Sequence, residues 1–155
     1  MESKLYRKIL ISTDGSESAR FAVDAGIELA RLSGAKIQAV YVIDIFAYYS
    51  VPRDPRWEEA MYAQFRELGR EAVSYVKTAA EDIGVEVEPL ILEGHPAEEI
   101  LNFAEKQDSD MIVIGSLGKT DIERFLIGSL SEKIVRNAKV PVLVVRKWNK
   151  EENEP

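Results

Sequence analysis

The sequence contains no cysteine and a single histidine, His95. The first absence excludes a disulfide framework, thiolate metal sites and thiol catalysis. The second excludes metal centres that need several imidazoles. No apolar run approaches the roughly 20 residues of a membrane span; the longest are strand-sized, such as 140–145 (VPVLVV). The charged N-terminal stretch is followed by no apolar segment ending in a cleavage site, so no secretory signal is visible and the cytoplasm is the expected compartment. A basic face is missing too. With 27 acids against 20 bases, the formal charge of −7 argues against general nucleic-acid binding. It leaves room for a local anion site built from backbone N–H groups.

What is present suits one domain. A chain of 155 residues with 46% hydrophobic side chains can bury a core without metal or disulfide staples. The expected domain covers 1–148, and a charged tail over 149–155 is expected to fray. No internal repeat and no low-complexity segment interrupts it.

Along the chain, apolar strand-like runs alternate with helical stripes. Residues 7–13 (RKILIST) read as a buried strand that ends in a Thr-Asp-Gly-Ser turn. A helix over 16–32 follows, with Ala22, Ala25, Leu29 and Leu32 inward and Gly34 at its C-terminal cap. Residues 36–43 (KIQAVYVI) form a second strand, closed by Asp44. Residues 45–56 hold two prolines and read as an irregular excursion, with Tyr48 and Tyr49 as half-buried loop aromatics. Asp54-Pro55 then caps a long helix whose face is Trp57, Met61, Phe65, Leu68, Ala72, Val76, Ala79 and Ile83, ended by Gly84. Residues 85–93 are a strand that Pro89 assigns to an edge or a bulge. Pro96 starts a helix that buries Ala97, Ile100, Leu101 and Ala104, and His95 before it reads as a turn or cap residue rather than a catalyst. Residues 110–115 (DMIVIG) are a strand, 116–126 a polar loop, 127–137 a helix with Ile127, Leu130 and Ile134 inward, and 140–145 the last strand. This order means an α/β domain with a parallel sheet.

In such sheets ligands bind beyond the carboxyl ends of the strands. The first strand ends in Ser12, Thr13, Asp14, Gly15 and Ser16, the second in Val42, Ile43 and Asp44, the fourth in Gly115, Ser116, Leu117 and Gly118. The last of these begins a G-x2-G-x9-G-S pattern that closes at Gly128-Ser129. Glycines let backbone N–H groups approach phosphate oxygens, and a helix opening at Gly128 adds its dipole. Ser129 and Ser131 can add hydroxyl donors. The spacing is not that of a P-loop, because two residues rather than four precede Gly118-Lys119-Thr120. No dinucleotide fingerprint follows the first strand.

In its segments 9–14 (ILISTD), 39–44 (AVYVID), 94–98 (GHPAE), 110–120 (DMIVIGSLGKT), 128–131 (GSLS) and 141–145 (PVLVV), the chain resembles the universal stress protein family. The resemblance spans about residues 5 to 147, and the glycine spacing is the mark of the family's ATP-binding branch. It implies a Rossmann-like open sheet of five parallel strands, order 3-2-1-4-5, with helices on both faces. It also implies a homodimer paired through the last strand, Val142–Val145, and ATP lying across the strand ends. By the same resemblance Ser12, Thr13 and Asp14 lie near adenine and ribose, and Val42 touches the adenine. Gly115, Ser116, Gly118, Gly128, Ser129, Leu130 and Ser131 hold ribose and phosphates, with Lys119 facing a phosphate. A divalent ion, Mg or Mn, on the phosphates is compatible with this arrangement, although no acidic cluster marks its ligands.

The expected function is therefore an ATP-binding regulatory protein of the stress response, acting without nucleic acid or membrane. No residue is placed as a general base, so the motif specifies at most slow hydrolysis. One alternative is an ATPase or other nucleotide-dependent enzyme, for which Asp14 and Asp121 are the candidate carboxylates. Another is a nucleotide-free dimeric interaction module. A phospho-receiver needs an acidic pair after the first strand, an Asp after the third and a Lys after the fifth. Asp14 alone, Glu93 and Lys147 do not meet that requirement.

Overall fold

The computed structural model describes residues 3–49, 54–117 and 127–147. Five apolar segments form the strands β1 (Lys8–Ser12), β2 (Lys36–Ile43), β3 (Val87–Glu93), β4 (Met111–Gly115) and β5 (Val142–Val145). Between them run α1 (Glu17–Ser33), α2 (Ile45–Tyr49), α3 (Pro55–Glu81), α4 (Pro96–Lys106) and α5 (Ser129–Asn137). The strands make one sheet in the order β3-β2-β1-β4-β5, and every neighbouring pair is parallel. This is the order that the resemblance implied. Pro89 lies on the edge strand β3, as a residue without an N–H must.

Strand side chains alternate between two cores. Ile9, Ile11, Ile37, Ala39 and Val113 meet Ala22, Val23 and Ile27 of α1 and Val73 and Val76 of α3 on one face. Leu10, Val40, Ile112 and Ile114 meet Ile100 of α4 and Ile134 of α5 on the other. Both faces are covered, which is why β1 and β4 read as unbroken apolar runs. At the start of the sheet, the Asp110 carboxylate accepts from the backbone N–H groups of Arg7 and Lys8, both at 2.9 Å, and joins the foot of β4 to that of β1.

α4 buries Ile100 and Ala104 as expected, whereas α1 and α3 depart in part from the stripes expected of them. α1 buries Ala19, Ala22, Val23, Gly26, Ile27 and Ala30, while Leu32 is 62% exposed. Small residues make this contact because the helix sits very close to the sheet. A Cβ on Gly26 would stand 2.5 Å from Ile11 Cδ1. α3 buries Gly69, Ala72, Val73, Val76 and Ala80, whereas Trp57, Leu68 and Ile83 are exposed. At about 1.5 Å per residue α3 is longer than the strands beneath it, so its ends overhang. Ile127 is likewise exposed rather than inward, since α5 begins two residues later, at Ser129. Residues 45–49 are not irregular: they form α2, whose first N–H groups, those of Phe46 and Ala47, donate to Asp44 Oδ1. The side chains of Tyr48 and Tyr49, and the tail beyond residue 147, lie outside the described residues. Among the described residues no helix is long and apolar enough to cross a membrane.

Candidate functional site

β1 is where the strand order reverses: the chain builds β2 and β3 outward on one side of it, then returns to lay β4 and β5 on the other. Connections leave the sheet in opposite directions there, and a crevice opens at such a point. It holds a cleft of about 1110 Å³.

Its first wall is the turn after β1. The Thr13 N–H still donates to the Val40 carbonyl in the sheet, at 3.0 Å. Asp14 then closes a tight turn by accepting from the Ser16 N–H at 2.9 Å, and Thr13 Oγ1 accepts from Gly15 at 3.1 Å. Gly15 carries φ +76°, which favours glycine. The N-cap of α1 is Ser16, whose hydroxyl accepts from the Ala19 N–H. Asp14 therefore shapes the approach to the helix and does not itself cap it. Burial first, and the nearby Asp14 charge second, push the Tyr41 hydroxyl on the adjoining strand above its ordinary range.

The second wall is where β4 gives way to α5. The Ser116 N–H donates to the Val145 carbonyl at 2.8 Å, and the Ser116 carbonyl accepts from the Gly128 N–H at 2.6 Å. Ser131 is buried, and its hydroxyl donates within the protein, shared between the carbonyls of Ser116 (3.1 Å) and Gly128 (3.0 Å). Ser131 thus pins the wall, and its hydroxyl is not the outward donor that the sequence suggested. Ser129, Leu130 and Ser131 form the first turn of α5, whose N–H groups the helix itself does not pair. All three residues line the cleft, so the positive end of the α5 dipole faces it.

The structure brings Ser12, Thr13, Asp14, Val42, Gly115, Ser129, Leu130 and Ser131 into the lining of one cleft. Ser116 stands behind the lining as the junction of hydrogen bonds, and Gly128 is the N-cap of α5 with no side-chain bond. Gly118, Lys119 and Asp121 lie outside the described residues. Glu93 is drawn away to Tyr62 and Arg66, which it binds on the outer edge of β3.

A third wall was missed in the sequence. His95, Glu98, Leu101 and Asn102 of α4 and its N-cap also line the cleft, beside Asp44 from the end of the second strand, which the sequence did name. His95 occupies the N-cap position as expected, but its side chain makes no capping bond. Instead its ring stacks on Phe46 of α2, centroids 3.6 Å apart and planes within 4°. Asp44 before an apolar segment was the available sign of α2; nothing local pairs Phe46 with a histidine 49 positions on. Among the described residues no group of three or more His, Asp or Glu could hold a metal ion.

The profile of the universal stress protein family matches residues 5–146. The chain is 44% identical over 147 residues to universal stress protein MJ0531 of Methanocaldococcus jannaschii, covering 95% of this chain and 86% of that one. It is 37% identical to a putative universal stress protein of Staphylococcus aureus, with 91% and 84% covered. Among solved structures, protein MJ0577 of M. jannaschii superposes with a TM-score of 0.82 at 33% identity, over 94% of this chain and 99% of that one. A universal stress protein in complex with cAMP shares the fold at 24% identity (TM-score 0.66; 92% and 98% covered). One from Archaeoglobus fulgidus in complex with dAMP shares it at 24% as well (TM-score 0.65; 91% and 98%).

Proposed function

Because the chain belongs to the universal stress protein family, we propose that it is a regulatory protein of the family's ATP-binding branch, cytoplasmic and dimeric. ATP lies across the strand ends, its base toward Asp14 and Val42 and its phosphates toward the first turn of α5. The observation that carries this reading is the cleft itself. At the switch point of the sheet, the β1 turn and the N-terminus of α5 line one space large enough for a nucleotide. That the fold holds cAMP in one relative and dAMP in another supports an adenine nucleotide as the ligand class.

The described part of the cleft carries more acids, Asp14, Asp44 and Glu98, than bases, where only Lys133 is fully cationic. Backbone N–H groups and the helix dipole, rather than a field of lysines, would therefore favour the phosphates. Lys119 and a Mg or Mn ion on the phosphates would add to them. ATP that binds only the folded state raises its stability, so occupancy becomes a signal that the fold can report. The dimer would pair the partly exposed edge strand β5 with its copy.

The test is the nucleotide content of the purified protein, released by denaturation and identified by chromatography and mass, beside Gly118→Val and Gly128→Val. Near-stoichiometric ATP in the parent and its loss in both variants is the expected result. An empty parent whose melting temperature ignores added ATP overturns the reading in favour of a nucleotide-free interaction module. The enzyme alternative rests on Asp14 and Asp121. It falls if ATP turnover is unchanged in Asp14→Ala and Asp121→Ala.

A further inference from the structure

We propose that His95, backed by Phe46, is the aromatic wall that holds the base of the bound nucleotide and so sets base affinity apart from phosphate affinity. The inference deepens the nucleotide reading and rests on it.

Three observations carry it. First, His95 is freed from the work its position normally does. An N-cap side chain ordinarily accepts a bond from the helix, and His95 makes none. Its place is held by backbone instead: the Gly94 N–H donates to the Ile43 carbonyl at 3.0 Å, and the Glu99 N–H to the His95 carbonyl at 2.9 Å. Second, the imidazole is held flat. Phe46 covers one of its faces at 3.6 Å with the planes within 4°. Phe46 is itself carried by α2, anchored through Asp44 at the end of β2. Third, His95 lines the cleft and Phe46 does not. The stack therefore stands at the cleft with His95 as its inner member, beside Val42 and Asp44 from the end of β2, which also line it.

A flat, stacked π surface with a polar edge suits a flat heteroaromatic ring, and it offers a polyphosphate nothing comparable. Stacking of a base on an aromatic side chain contributes about 1–3 kcal/mol, sequence-tolerant because every base has a π face. The wall is thus expected to favour nucleotides over inorganic polyphosphate while distinguishing poorly between purines. Phe46 acts through His95 and is a positioning residue.

His95 is the only histidine in the chain, so its ring protons give an isolated NMR reporter. Titrating the full chain with ATP is expected to move them upfield through the ring current of the stacked base, and tripolyphosphate is expected not to. In calorimetric titrations His95→Ala should weaken ATP about tenfold, the low end of base stacking. The same variant should leave tripolyphosphate within about twofold. His95→Phe, which keeps a ring, should recover most of the ATP affinity, and Phe46→Ala should lose part of it. Equal weakening of both probes, or ATP binding in His95→Ala at the parent's strength, overturns the aromatic wall but leaves the nucleotide reading standing. If the parent binds neither probe, both readings fall together.

Discussion

The Ser131 hydroxyl reaches the Ser116 carbonyl at 3.1 Å, fastening the first turn of α5 to the end of β4. The same carbonyl takes the Gly128 N–H, so the chain leaves β4 and returns to α5 through one oxygen atom. Ser131→Ala removes the hydroxyl but orphans neither acceptor, because Ser116 keeps the Gly128 N–H and Gly128 keeps the Glu132 N–H. The expected loss is about 1 kcal/mol. Calorimetry should record it as a fall in melting temperature of roughly 2–4 °C. A variant as stable as the parent would show that the clasp contributes nothing.

Gly26 packs where no side chain fits. A Cβ there would meet Ile11 Cδ1 at 2.5 Å and Cγ1 at 2.7 Å, in a core with Ile11 fully buried. Gly26→Ala should cost about 1–3 kcal/mol in denaturant unfolding, despite the better helix propensity of alanine. Ile11→Val removes one of the two colliding carbons. The double variant should therefore lose less than the sum of the two single changes. Strict additivity would place the strain elsewhere.

Alkaline stability tests the environment of Tyr41. Burial, and then Asp14, raise its hydroxyl above the ordinary tyrosine value. The unfolded chain releases that proton near pH 10, while the folded chain still holds it. Above that pH the unfolded state binds fewer protons, so stability falls as pH rises. Below it, Tyr41 adds no pH dependence. Tyr41→Phe should flatten the alkaline limb of melting temperature against pH, with the two curves converging in slope at neutral pH. Parallel limbs up to pH 11 would refute the assignment.

The dimer is tested at the β5 edge. Leu143 is 36% exposed there. A charge placed in a paired strand interface is unpaired and desolvated. Leu143→Glu should shift sedimentation from dimer to monomer with the circular dichroism unchanged. A parent that sediments as a monomer at micromolar concentration removes the interface altogether.

Much of this was readable in the chain because the signals are local. The β-branched and aromatic run 36–43 became β2 with those bounds, and Gly34 took the left-handed cap. Pro89 marked an edge, and the three strand ends supplied Ser12, Thr13, Asp14, Val42, Asp44 and Gly115 to the cleft. What escaped depends on contacts between distant segments. Of the stripe expected for α1, Ala22 is buried and Leu29 packs against the core, but Leu32 faces out, because the helix meets the close-lying sheet through Ala19, Val23, Gly26 and Ile27 as well. α2 was hidden by the prolines downstream, although Asp44 is an ordinary helix cap. The His95–Phe46 stack joins α2, which follows β2, to the N-cap of α4, which follows the neighbouring β3, and leaves no trace in either segment's sequence.

The central position of β1 also has a consequence in time. Ile9, Leu10 and Ile11 leave the ribosome about 100 residues ahead of their second neighbour, which begins at Met111. At about 5–20 residues per second, one side of that strand waits roughly 5–20 s for its partner. Throughout that interval the nascent chain presents an unpaired apolar edge to every other chain nearby. The period in which this protein is most prone to aggregate is thus set by the speed of translation, and no stabilisation of the finished fold shortens it.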